Sequence, residues 1–201
     1  MDGIGWAAAA MDGARTRLET AAVNLANASS DGFKGVRLRG RVVPDGLRFA
    51  RLRDAAQGAL RPTGRDLDVA LAGRGSFAVR DEHAKAVASR GGALQRDRHG
   101  RLCDAAGRVV LGMAGALRVP EGARLEPDGR VTLNGAPIDR LRLTPGTTVR
   151  SGFLEAANVD AIGEMVDLLG AQRSFESAEK TLAAIDQTRE RTVTQTALVR
   201  A

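Results

Sequence analysis

The chain has 201 residues, of which 43% are hydrophobic and 27% charged, enough apolar material for one substantial core or two small ones and too little polarity for a disordered polypeptide. A single cysteine, Cys103, excludes an intrachain disulfide and a cysteine zinc cluster, and no apolar run approaches the length of a membrane span. The formal charge of +6 and the pI of 10.8 are almost wholly arginine, since lysine stands only at Lys34, Lys85 and Lys180; arginine, alanine and glycine share GC-rich codons, so base composition accounts for the basicity without a polyanionic partner.

From Ile4 the larger apolar residues Ile4, Met11, Leu18 and Leu25 recur every seven positions, and Ala7, Ala14, Ala21 and Ala28 follow each by three. This spacing predicts a helix with a narrow seam suited to close packing against another helix. Burying four large side chains is worth roughly 1.5–3 kcal/mol each. Fixing each backbone costs on the order of 1–2 kcal/mol, and Gly3, Gly5 and Gly13 each weaken the helix by about 1 kcal/mol relative to alanine. The segment is therefore expected to depend on a partner that covers its seam. Asn27, Ser29, Ser30 and Asp31 compete for backbone hydrogen bonds and Gly32 admits unusual backbone angles, which places the helix end near Ala28.

Residues 36–65 contain short apolar pieces broken by Gly40, Pro44-Asp45-Gly46, Gly58 and Pro62-Thr63-Gly64, and are expected to form an extended connector. Between Asp66 and Arg142 the period changes to two, as in Leu67, Val69 and Leu71 or Phe77 and Val79. Asp97 to Leu102, Asp104 to Val109 and Asp128 to Val131 each place Asp and Gly ahead of Arg and a strand residue, and Asn134-Gly135 adds a fourth hairpin signal. Residues 66–150 thus predict an antiparallel β domain of short strands.

A second long helix is expected beyond Asn158-Val159-Asp160, with Asn158 as its cap and Asp160 and Glu164 at the positive end of its dipole. Its seam repeats the first: Leu168, Phe175 and Leu182 are seven apart, followed by Ala171, Ala178 and Ile185, and it weakens through Arg189, Thr192, Thr196 and Val199. The two seams can cover each other. The fold class expected is therefore α+β, with helical residues 1–35 and 151–201 forming a discontinuous coiled-coil-like domain around an inserted antiparallel β domain.

Asn24-Leu25-Ala26-Asn27 with Ser30-Asp31-Gly32-Phe33-Lys34 resembles the N-terminal signature of bacterial flagellar rod and hook proteins, A-N-N-x-A-N followed by T-x-G-F-K. Glu155, Asn158-Val159-Asp160, Glu164-Met165 and Gln172-Arg173-Ser174-Phe175-Glu176 resemble the family's C-terminal signature, and Asp66 to Phe77 looks like the strand pair that opens its middle domain. Val23 stands in place of the first paired asparagine and Ser30 in place of threonine, and the chain is short for a hook protein's extra outer domain. The resemblance implies a non-enzymatic structural subunit of the basal-body rod that polymerises through its terminal helices. It further implies partners in copies of itself and other axial proteins, and passage through the flagellar type III export apparatus without a cleaved signal or membrane insertion. The acidic Asp2 near the start, where a secretory signal would be basic, accords with that route.

No cofactor or metal is expected. His83 and His99 lie in charged, turn-like surroundings without metal-ligand spacing, Cys103 reads as a small core residue, and Asp66 and Asp68 as a solvated strand face. The one rival of another class is nucleic-acid binding through Arg37, Arg39, Arg41, Arg48, Arg51 and Arg53, a run with Phe49 as its one aromatic and no recognised motif; subunit contacts are the favoured use of these arginines.

Overall fold

The computed structural model describes residues 3–43 and 46–199, with side-chain surroundings described through Thr192, Gly46 aside. The turn expected at Pro44-Asp45 and the side chains of Thr196 and Val199 lie outside the described residues. The fold is α+β, and its internal packing divides the chain into two units: Met1–Ala26, Val36–Arg53 and Val159–Ala201 form one, and Asn27–Gly35 with Asp54–Asn158 the other.

In the first, helical unit, α1 (Gly3–Ala26) and α2 (Ala161–Val199) pack together, and a hairpin of β1 (Val36–Val43) and β2 (Gly46–Arg53) packs on α1. α1 stops two residues before the expected Ala28. Asn158 does not cap α2: the Asp160 carboxylate accepts the Ile162 amide at 3.1 Å and fills that role. The hairpin is a correction to the connector expected over residues 36–65. Val36, Leu38 and Val42 alternate with Arg37, Arg39 and Arg41, a strand pattern that continues through Gly40. A Cβ at Gly40 would stand 3.3 Å from the Phe49 ring of the facing strand, so this glycine makes room for an aromatic and does not break the ladder.

The second, β unit contains β3 (Leu60–Pro62), β4 (Val69–Ala72), β5 (Phe77–Arg80), β6 (Ala86–Ser89), β7 (Gln95–Arg96), β8 (Leu102–Cys103), β9 (Val109–Gly112) and β10 (Gly115–Ala116). There follow β11 (Arg124–Leu125), β12 (Arg130–Leu133), β13 (Ala136–Arg140), β14 (Thr148–Ser151) and β15 (Phe153–Glu155). The largest sheet runs β6-β5-β9-β8-β7 with β10 on β9; β11-β12-β13 form a meander, and β14 pairs with β4 and β15 with β3, all antiparallel. Its core joins Val69, Leu71, Phe77, Val79, Leu94, Leu102, Val110, Leu117, Val131, Leu141 and Val149.

The expected Asp-Gly-Arg turns are present, with an addition. Asp97 Oδ1 accepts the amides of His99 and Arg101 while Oδ2 accepts the Arg101 Nε at 2.7 Å, and Asp104 repeats the arrangement with Ala106 and Arg108. Gly100 and Gly107 supply the positive φ, 71° and 76°. The arginine after each glycine therefore folds back on the turn's own aspartate. Burial works to raise the Asp97 pKa, but those amides and the guanidinium outweigh it and bring it down to about 2. Asp68, expected on a solvated strand face, is instead buried, its carbonyl accepting the Gly152 amide at 2.8 Å.

Candidate assembly site

On α1 and α2 the small residues form the floor of the packing. Ala7, Ala14, Ala21, Ala171 and Ala178 are buried, whereas Ile4, Met11, Leu18, Leu25, Leu168, Phe175, Leu182 and Ile185 are each half-buried. A Cβ on Gly3 would lie 3.5 Å from Ile185, so the start of α1 runs beside the middle of α2.

Asn24 is the polar centre of this unit. Its side chain is 2% exposed; Oδ1 accepts the Val36 amide at 2.8 Å, and Nδ2 donates to the Val36 carbonyl and to Glu164 Oε1, each at 2.8 Å. The carboxamide thus completes both backbone bonds of the first residue of β1, as a neighbouring strand would, and ties α1 to α2 at the same point. Burial raises the Glu164 pKa, and the charges of Asp167 and Asp160 act in the same sense against the Asn24 amide and Arg37.

The hairpin is seated one turn after another along α1. The Phe49 ring lies over Gly13, where a Cβ would come within 2.8 Å of it, and Arg17 stands above the same ring at 5.9 Å. Glu19 accepts Arg15 Nε at 2.9 Å and Arg51 at 2.7 Å, and these two guanidiniums lower its pKa against a smaller effect of burial.

Three further signature residues, Gly32, Lys34 and Asn158, belong to the β unit and close a knot there. Glu155, 1% exposed, receives Lys34 Nζ at 2.6 Å and the Gly58 amide at 2.9 Å on Oε1, and Arg90 at 2.7 and 3.0 Å on Oε2. Burial works to raise its pKa, but Lys34, the Gly58 amide and Arg90 together bring it below the ordinary carboxylate value. Arg90 continues to the carbonyls of Leu71, Gly73 and Gly75, and Lys34 to that of Ala56. Asn158 accepts the Gly35 amide at 2.7 Å and donates to the carbonyls of Asp54 and Ala56. The Gly32 amide reaches the Glu155 carbonyl at 2.6 Å, and with φ of 71° any Cβ there would overlap the Arg90 carbonyl.

The structure therefore brings the signature together as two clasps, Asn24 with Glu164 in one unit and Gly32, Lys34 and Asn158 in the other. Leu25, Asn27, Phe33 and Val159 are half-buried beside them, and Asp160 caps α2. Met165, Gln172 and Arg173 are exposed on α2. Sequence reasoning missed Arg90 altogether and gave Glu155 no role. The signals for Glu155 were its place in the C-terminal signature and an acid following the apolar Phe153-Leu154; Arg90, between Ser89 and Gly91, carried none. His83 and His99 are exposed, and Cys103 is buried, with burial raising its thiol pKa. Among the described residues no group of three His, Cys, Asp or Glu side chains is placed to hold a metal ion.

Paired terminal helices with a β unit between them in sequence define an α+β protein whose distinctive side chains tie backbone to backbone. The comparisons identify the class further. Residues 150–195 match the family model described as flagellar basal body rod FlgEFG protein C-terminal. The chain is 31% identical to the flagellar basal-body rod protein FlgF of Escherichia coli K12, over 82% of this chain and 86% of that one. It is 26% identical to the basal-body rod protein FlgG of Agrobacterium fabrum, over 93% and 96%, and 30% identical to the flagellar hook protein FlgE of Brucella abortus, over 68% of this chain but 37% of that one. The chain belongs to the flagellar basal-body rod protein family, and its function is that of a structural subunit of the rod.

Proposed function

We propose that the chain polymerises into the axial rod through α1 and α2, whose seams pair as a short coiled coil, with copies of itself and with other axial proteins of the basal body as partners. In this reading the helical segments within residues 1–35 and 151–201 are the assembly domain, the hairpin within 36–65 braces it, and residues 66–150 form the β domain inserted between them in sequence. The chain reaches the rod through the flagellar type III export apparatus without a cleaved signal or membrane insertion; no helix among the described residues is long and apolar enough to cross a membrane. The observation that carries the reading is the incomplete cover of the helices: every large seam residue is half-buried, while Ile162, Met165, Val166 and Leu169 of α2 are 50–75% exposed. Surfaces of this kind gain their missing contacts from neighbours.

The test is a deletion of residues 1–28 together with Leu18→Asp and Leu168→Asp in the full chain. Each is expected to abolish incorporation into isolated basal bodies while the β unit keeps its β-sheet circular dichroism, because a charge placed in the seam is buried without a partner. Normal motility in the deletion strain overturns the reading.

A further inference from the structure

The hairpin presents two unlike faces. Its register pairs Val36 with Arg53, Leu38 with Arg51, Gly40 with Phe49 and Val42 with Leu47, and this is the face that meets α1, where the Phe49 ring lies over Gly13. The other face carries Arg37, Arg39, Arg41 and Arg48 with Leu52, and all five are exposed. Arg41 stands directly opposite Arg48, and like charges so placed across an antiparallel pair destabilise it. Among the described residues Arg39, Arg41 and Arg48 make no ion pair. The first face holds the hairpin on α1 and so turns these arginines away from the helix beneath them.

An acidic row that contains a stretch of similar extent runs along α2. Met165, Leu169, Gln172, Glu176, Glu179, Ala183, Asp186 and Glu190 recur every three or four residues and therefore form one line, beside the line of Leu168, Ala171, Phe175, Ala178, Leu182 and Ile185. Every member is exposed, its last five members hold four carboxylates, and no base interrupts it. Glu179 to Asp186 covers about 10 Å at 1.5 Å per residue, and Arg37 to Arg41 about 13 Å at 3.3 Å per residue.

We propose that the arginine face of β1 and β2 in one copy docks on the Glu176–Glu190 row of α2 in a second copy. The proposal rests on the rod reading above and supplies one of its contacts. Charge complementarity selects the occupant: the chain carries both halves of the contact, each exposed. Because the two halves are different surfaces, each docked copy still offers one arginine face and one acidic row, and the contact propagates as an open series instead of closing as a dimer.

The test uses the full chain in its native strain. With Cys103→Ala as background, Arg41→Cys and Asp186→Cys are introduced together and the cells are oxidised before basal bodies are isolated. A ladder of disulfide-linked dimers, trimers and higher species is expected from the double variant and from neither single one. In parallel, Arg39→Glu with Arg41→Glu, and Glu179→Arg with Asp186→Arg, are each expected to lower incorporation into basal bodies by roughly tenfold, and the two sets combined in one chain to restore it. All four positions are exposed, so the reversals leave thermal unfolding of the soluble chain unchanged, and restoration by the swap excludes misfolding as the cause of the loss.

No ladder, or no restoration, while the unaltered chain is found in basal bodies overturns this contact and leaves the rod reading standing. Absence of the unaltered chain from basal bodies overturns both. Cross-linking of the Arg41→Cys variant to a different axial protein, or salt-dependent retention of DNA or RNA that the arginine reversals remove, overturns the second copy as occupant.

Discussion

The two units bury their apolar side chains in opposite ways. In the β unit the sealed side chains are the large ones, Phe77, Leu71, Leu94, Leu102 and Leu117, each at most 1% exposed. In the helical unit the buried hydrophobic residues are alanines, and the leucines, isoleucines and Phe175 beside them stay half covered. A leucine fully buried contributes roughly 1.5–3 kcal/mol and an alanine methyl about 0.8. The β unit thus closes on itself, whereas the helical unit leaves its large apolar side chains half covered.

The largest expected effect tests the first half of that contrast. Phe77→Ala should lower the stability of the β unit by about 3–5 kcal/mol, whereas Leu18→Ala on half-buried α1 should cost the soluble chain only about 1 kcal/mol, both by urea denaturation. Equal losses would mean that the helices are as self-sufficient as the sheet. Next, Glu155→Ala leaves Lys34 and Arg90 buried without their anion and should cost roughly 3 kcal/mol or more. The lowered Glu155 pKa adds a pH signature: its contribution is present above the ordinary value of 4.5 and is lost as pH falls through the lower folded value, so the gap between the Glu155→Ala variant and the unaltered chain should narrow in acid.

A smaller effect belongs to the helical clasp. Asn24→Ala strands both backbone groups of Val36 and should cost about 1–3 kcal/mol, read as faster hydrogen exchange at the Val36 amide with the β unit unaffected. The smallest is Glu164→Gln, which keeps an acceptor for Asn24 and removes the titration. Between 4.5 and its raised folded value, Glu164 holds a proton in the folded chain that the unfolded chain has released, so its contribution declines as pH rises through that window. The Gln variant should flatten that slope for the helical unit and leave the acid limb due to Glu155 in place.

Local chemistry was legible in the sequence, and long-range chemistry was not. The heptads of Ile4 to Leu25 and Leu168 to Ile185 and the Asp-Gly-Arg turns at 97–101 and 104–108 act over a few residues, and the structure places helices and turns there. Asn158 looked like a helix cap because capping is a local rule. Its partners at Gly35, Asp54 and Ala56 lie more than a hundred residues away, where no spacing rule reaches. Arg90 was invisible for the same reason. The hairpin was lost differently: Val36-Arg37-Leu38-Arg39 alternates plainly, but Gly40 was weighed as a breaker because its crossing partner Phe49 could not be seen.

Gly13 ties the strength of α1 to the seating of the hairpin. In an isolated α1 this glycine is only a weak link, costing about 1 kcal/mol relative to alanine. With β2 in place it is a socket for the Phe49 ring, which no larger residue could admit unless the ring moved. The same atom count that loosens the helix before the hairpin arrives lets the hairpin seat once it does. In a chain built this way α1 is completed at Gly13 by the Phe49 ring that the hairpin of β1 and β2 brings to it.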